Sequence, residues 1–279
     1  MHLAIYQATH QENSMNLPFF GSRFELDLLA TGALLFLSLL VINEAGYRVG
    51  QLRYPGRPAQ GSELSAVSTL TAGMIGLLTF TLSLSINFAQ NRYETRRGLV
   101  LTEATAIGTA WLRTKLIDGE EGPSIAAEIE AYARARRDFT VAASDADVPA
   151  LLARTNALQT EIWQTMGVVA RRSPNAVTTA LVNALNAMFD SAMAQRFAYA
   201  SRVPMSIMLG LFIGALLAIG ALGFQFGLAG KRYVVLTALL LLMWSGGLLL
   251  IVELNLPRLG HIKADVAPLE WTIQEFGSK

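Results

Sequence analysis

Catalysis or metal binding in this chain would have to be built from three histidines, an acidic turn and no cysteine at all. His2, His10 and His261 sit in the terminal segments, and none has a second ligand-forming residue at i+3 or i+4, as a helical metal site needs. Asp118, Glu120 and Glu121 cluster in DGEEGP but lack the alternating oxygen ligands of a calcium loop. They read as a solvated turn. No phosphate-cradling glycine loop and no G-x-S-x-G nucleophile turn occurs. The expectation is therefore a protein that is not an enzyme, with no catalytic residues, no metal and no cofactor.

A second group of polar residues has a different character. The stretch SAVSTLTAGMIGLLTFTLSLSINFAQNRYE scatters Ser65, Ser68, Thr69, Thr71, Thr79, Thr81, Ser83, Ser85, Asn87, Gln90 and Asn91 through apolar sequence. Small hydroxyls can bond back to their own helix, and small polar residues let helices pack closely. The same residues also suit a water-lined face. At helical spacing Gly76, Phe80, Ser83, Asn87, Asn91 and Glu94 share one side, grading from small and apolar to polar and then charged. Both uses, pore lining and helix packing, fit the pattern.

The elements that must hold such a face are bilayer spans. Of 279 residues, 52% are hydrophobic and 15% charged, against about 25% charged in a soluble domain. The mean hydropathy is +0.39. The charge deficit is concentrated: 28 residues without charge lie between Glu63 and Arg92, 28 between Arg202 and Lys231, and 20 between Arg232 and Glu253. About 20 apolar residues cross a hydrocarbon core. A shorter run of 16 between Asp27 and Glu44 can still span by tilting or by drawing its flanks to the interface. Four spans follow. Only Ala229–Tyr233 separates spans three and four, which predicts an antiparallel neighbouring pair. Gly210, Gly214 and Ala218 in span three form a small-xxx-small ladder suited to close packing.

Between spans two and three the chain reads as helix throughout. Span two continues without a break to the DGEEGP turn, giving a helix over 65–117 about 80 Å long. Helices to about 142 and over 148–172 follow. Ser173-Pro174 then has the form of a helix cap and first turn, opening a helix that enters span three with a kink at Pro204. The expected fold is all-α: four membrane spans and a cytoplasmic helical domain made from extensions of spans two and three plus two shorter helices. The expected divisions are a tail over 1–23, spans one and two over 24–90, the helical domain over 91–202, spans three and four over 203–253, and a tail over 254–279. The first 23 residues lack the basic-then-apolar pattern of a cleaved signal peptide.

Charge distribution sets orientation. Arg23, Arg92, Arg96, Arg97, Arg196, Arg202, Arg258 and Lys263 lie near the membrane on the side of the termini and the helical domain. Arg48, Arg53, Arg57, Lys231 and Arg232 lie on the other. The excess predicts cytoplasmic termini. A net charge of +1 argues against nucleic acid as a partner. At the expected cytoplasmic face, Glu25, Asp27, Arg92, Glu94, Arg96, Arg97, Arg202, Glu253 and Arg258 form a collar of both signs. It suits interhelical ion pairing or an ion-attracting vestibule.

Phe80–Arg113, FTLSLSINFAQNRYETRRGLVLTEATAIGTAWLR, resembles the signature of the bestrophin-like domain family of bacterial membrane proteins, with NFAQNRYE and EATAIGTAWLR as its most distinctive portions. A more distant similarity extends to the bestrophin ion channels, pentamers whose second span lines a narrow neck and ends in Asn-x-Tyr-Glu. Asn91-Arg92-Tyr93-Glu94 matches that ending. The resemblance places the neck near Ala72, Gly76 and Phe80, with Gly73 where those channels have proline and with no counterpart of the calcium clasp of the animal proteins. It implies a homo-oligomer, as a pentamer, in a bacterial inner membrane, with lipid, small inorganic ions and further copies of itself as partners. A non-conducting scaffold or sensor, binding a partner through its helical domain, is the alternative reading.

Overall fold

The structure is a computed structural model that describes residues 28–53, 61–258 and 260–277. Eight helices occur among them: α1 Leu28–Arg53, α2 Ser62–Thr114, α3 Glu121–Val141, α4 Val148–Arg172, α5 Ala176–Ala200, α6 Met205–Ala229, α7 Val234–Asn255 and α8 Ala267–Phe276. The fold is all-α, and four helical stretches are long and apolar enough to cross a membrane: α1, α2, α5 with α6, and α7.

α2 runs unbroken for 53 residues, about 80 Å. No proline interrupts Ser62–Thr114, and its hydroxyls do not compete with the ladder because they accept the helical geometry. Thr69, Thr79, Ser83, Ser85 and Thr95 each donate to the carbonyl four residues earlier at 2.8–3.0 Å. The helix ends at Thr114, and Gly119 takes a φ of 90° in the turn. There the left-handed conformation favours glycine.

The return path is different. A continuous helix kinked at Pro204 was expected, but α5 stops at Ala200 and α6 starts at Met205. Proline removes a backbone donor and disfavours helix in the residue before it. The freed Val203 N–H donates instead to Asn255 Oδ1 at 2.6 Å. The entry into α5 differs too. Asn175, not Ser173, occupies the cap position, and its side chain accepts from the Thr178 N–H at 2.9 Å.

In the membrane layer α1 and α2 each pack against both α6 and α7, whereas neither α1 with α2 nor α6 with α7 makes comparable contact. The order around this bundle is α1, α6, α2, α7. Spans three and four are antiparallel, but the tight turn ending in left-handed Gly230 leads across the bundle and not to a neighbour. The core here includes Leu39, Leu78, Leu211, Ile219, Trp244 and Leu248.

The tightest contact is between α1 and α6. A Cβ at Gly46 would lie 2.1 Å from the Gly220 carbonyl oxygen, one at Gly223 2.0 Å from that of Asn43, and one at Gly227 2.1 Å from that of Tyr47. Glycine alone permits this approach. Gly210, the first step of the ladder anticipated in span three, has open space where its Cβ would be, and Gly214 meets only Leu78.

A second core joins the far half of α2 to α3, α4, α5 and α8, through Ile107, Trp111, Ile129, Tyr132, Met166, Leu185, Met188 and Leu269. The C-terminal segment thus holds a helix, with Phe276 against Trp111 at 4.9 Å between ring centroids. Inside this core Arg136 and Glu103 are both buried and paired. The Arg136 guanidinium donates to both Glu103 oxygens and to Gln195 Oε1, and Gln195 donates on to Thr140 Oγ1 at 3.3 Å.

Between α3 and α4, Glu128 accepts from the Thr165 hydroxyl at 2.8 Å through one oxygen, while its other oxygen is buried without a partner. Burial pushes this carboxyl above its ordinary value of 4.5, and Glu161 nearby adds to the rise. A raised folded-state value means that the fold prefers the protonated acid. The contribution of this group to stability is then fully present below pH 4.5 and is lost as pH rises from there through the folded value. Glu128→Gln is expected to remove this decline. Unfolding temperatures of both proteins, measured from about pH 4 to pH 8, should converge at the acid end and separate toward neutrality, with the variant higher.

Candidate functional site

The faces of α2 divide sharply within the membrane layer. Thr71, Leu78, Ser85, Ala89 and Arg96 are buried against the bundle. Gly76, Phe80, Ser83, Asn87, Asn91 and Glu94 all lie on the exposed side, with Phe80 62% exposed. A Cβ at Gly73 or Gly76 would meet nothing. The residues grouped by spacing therefore do share one face, and no other described residue covers it.

That face is not what a lipid-facing helix presents. Leu70, Leu77, Leu84 and Phe88 form an exposed apolar flank, but the strip beside them carries a hydroxyl and two amides. Asn91 donates to Asn87 Oδ1 at 3.1 Å, one turn apart. This leaves the Asn87 side-chain N–H groups and the Asn91 side-chain carbonyl without a partner among the described residues, on exposed positions. Polar groups left in hydrocarbon without partners are costly. The strip therefore requires water or another copy of the chain.

The charges at the end of the span are arranged as follows. Arg96, 2% exposed, donates through Nη2 to the Leu254 carbonyl at 2.5 Å, tying α2 to the end of α7. Glu253 accepts from the His261 backbone N–H at 2.7 Å, so Arg96 and Glu253 are not partners of each other. Arg258 is buried, donates to the Phe139 carbonyl at 2.7 Å and pairs with Asp145, which also receives Arg202. Burial lowers the Arg258 pKa from its ordinary value. Arg92, Glu94 and Arg97 form no ion pair with any other described residue. Glu25 and Asp27 lie outside the described residues. The buried arginines thus brace helix ends, while Glu94 and Arg97, without ion-pair partners among the described residues, lie on the exposed side of α2.

Neither a family model nor a curated protein matches this sequence. Solved structures do. A crystal structure of a bacterial bestrophin homologue from Klebsiella pneumoniae, carrying a point mutation, superposes with a TM-score of 0.61 over 88% of this chain and 98% of its own, at 17% identity. Another variant of that homologue gives 0.60 over 90% and 98%, at 18% identity. The structure of the homologue phased on zinc gives 0.58 over 89% and 95%, also at 18%. The chain has the bestrophin fold.

The match spans nearly the whole of both chains, so the bestrophin fold includes the membrane bundle and the helical insert together. Sequence reasoning identified the α2 strip because hydroxyls and amides in an apolar run are conspicuous. It missed the Glu103–Arg136–Gln195 network, since charges on amphipathic helices ordinarily read as solvated. It also missed the α1–α6 contact, whose signals are the glycine spacings 46/50 and 223/227.

Proposed function

We propose that this protein is a homo-oligomeric ion channel, built from five copies around the exposed strip of α2, in a bacterial inner membrane. The observation that carries this reading is the uncovered polar strip Ser83, Asn87 and Asn91 on a helix otherwise surrounded by apolar surface. A ring of copies would place these groups in water. Phe80, one turn further into the span, is the bulky apolar residue of that face. In a ring it would form a constriction that gates by dewetting, with Gly76 beyond it. The charged groups Arg92, Glu94 and Arg97 would stand at the mouth. In this arrangement residues 91–202 lie in the cytoplasm, and both termini lie on the same side, which the positive-charge excess favours. Small inorganic ions are the transported species, lipid and identical copies are the partners, and no catalysis is assigned.

The test is conductance of the purified protein in a planar bilayer under a KCl gradient. A reversal potential displaced toward the potassium or the chloride equilibrium value supports the reading and gives the ion sign. Phe80→Ala is expected to raise basal conductance severalfold at equal expression. A monomer or dimer in the membrane would overturn the proposal, because neither can enclose a central pore.

A further inference from the structure

The end of the bundle opposite the helical insert holds a feature that ion conduction does not use. Because α6 and α7 are joined by a tight turn but do not pack along their length, a gap remains between them. It is a groove of about 230 Å³ lined by Leu222 and Phe226 of α6 and by Leu236, Thr237 and Leu240 of α7, with Tyr233 at its rim. The rim is fixed by an edge-on contact of Tyr233 with Phe226, 5.5 Å between centroids. Thr237 is the one aliphatic hydroxyl in an otherwise apolar and aromatic lining.

Two cations precede Tyr233 in the turn that borders this groove, and they differ in their partners. Arg232 is held by Glu44, with contacts of 3.0 and 3.3 Å, and its guanidinium lies 3.9 Å from the centroid of the Tyr47 ring. Lys231 is exposed and has no ion-pair partner among the described residues. Its backbone N–H donates to the carbonyl of Phe226, which is itself a lining residue. The backbone of Lys231 is therefore fixed next to a lining residue, and its exposed side chain has no ion-pair partner among the described residues. The first turn of α7 carries no acidic residue and no capping side chain, and the nearby Glu44 carboxylate is taken up by Arg232. Tyrosine beside lysine at a span end also matches the membrane–water interface, where headgroups lie.

We propose that this groove binds an anionic phospholipid, with one acyl chain between α6 and α7 and the headgroup phosphate at Lys231. The apolar lining excludes a soluble phosphate ligand, and the uncompensated cation distinguishes an anionic lipid from a zwitterionic one. The inference rests on α6 and α7 spanning the bilayer and not on ion conduction.

The chain has no cysteine, which permits a clean local probe. Val234→Cys places a thiol on an exposed residue of α7 beside, but not in, the groove lining. The full-length variant is labelled with bimane, reconstituted in nanodiscs, and quenched with brominated phosphatidylglycerol or brominated phosphatidylcholine. The expected result is an apparent affinity about fivefold higher for phosphatidylglycerol, the size appropriate to one juxtamembrane cation. Lys231→Glu should abolish that preference, and Thr237→Trp, which fills the groove, should weaken quenching by both lipids. Equal quenching by the two lipids would overturn the proposal. So would a preference that survives Lys231→Glu, or disulfide cross-linking of two unlabelled copies through the thiol that Val234→Cys introduces. None of these readouts depends on current, so failure here and failure of the channel reading are separable.

Discussion

Glu103→Ala is expected to destabilise the protein by about 3–5 kcal/mol, because it leaves the Arg136 guanidinium charged and buried without its carboxylate. Both side chains are almost fully buried, and the pair is completed by Gln195 and Thr140. The Glu103 carboxyl is pushed up by burial, and Arg136 opposes that rise. The pair thus persists in spite of desolvation. Replacing both members by leucine or methionine should restore most of the loss, since a well-packed apolar pair avoids the cost of burying charge. Thermal unfolding in detergent of Glu103→Ala and of the double variant checks this. If Glu103→Ala melts with the parent protein, the pair is not the support that its burial implies.

The second large effect is steric. Gly223→Ala would set a methyl group 2.0 Å from the Asn43 carbonyl oxygen, and the obstruction is backbone on both sides. No rotamer change relieves it, so α1 and α6 must separate along several turns. The cost is expected at or above ~3 kcal/mol, the upper end of ordinary overpacking. Gly210→Ala on the same helix meets nothing within 4 Å. It should be neutral, or stabilising by up to ~1 kcal/mol through helix propensity. The contrast between the two variants, read as thermal stability in detergent, isolates the helix contact from any general intolerance of glycine replacement. Equal stability of the two would remove the contact from the account of this fold.

Much of this architecture was legible because membranes impose coarse rules. Bilayer thickness fixes how long an uncharged run must be, so the four spans could be read from the spacing of charges alone. The helix over 148–172 was equally plain, with proline in its first turn and basic residues in its last. What escaped the sequence depends on which helix meets which. Nothing in Ala229–Tyr233 says that the following span crosses the bundle. Nothing local distinguishes Gly223, pressed against a carbonyl, from Gly210, where a Cβ would meet no described residue. The candidate strip was legible as a face, because a 3.6-residue period groups Phe80, Ser83, Asn87 and Asn91 whatever surrounds them. What lies against that face is outside the single chain, and so beyond what its sequence can state. The collar shows the same division. The charges were visible as a group, whereas the Arg96 bond to a carbonyl at the end of α7 arises only when two distant segments meet.

Two covalent routes lead out of the membrane layer into the helical insert, and they differ in stiffness. Outbound, α2 is one rod. Inbound, the four residues between α5 and α6 form a joint, and that joint is not free: Asn255, at the end of α7, holds the Val203 N–H, and its neighbour Leu254 holds Arg96 of the rod. A shift of the rod at Arg96 bears on the end of α7, and through Asn255 on the joint. The last turn of α7 grips both parts, so it works as a coupling pin. The insert is thereby tied to α7 as well as to α2, the helix that carries the polar strip.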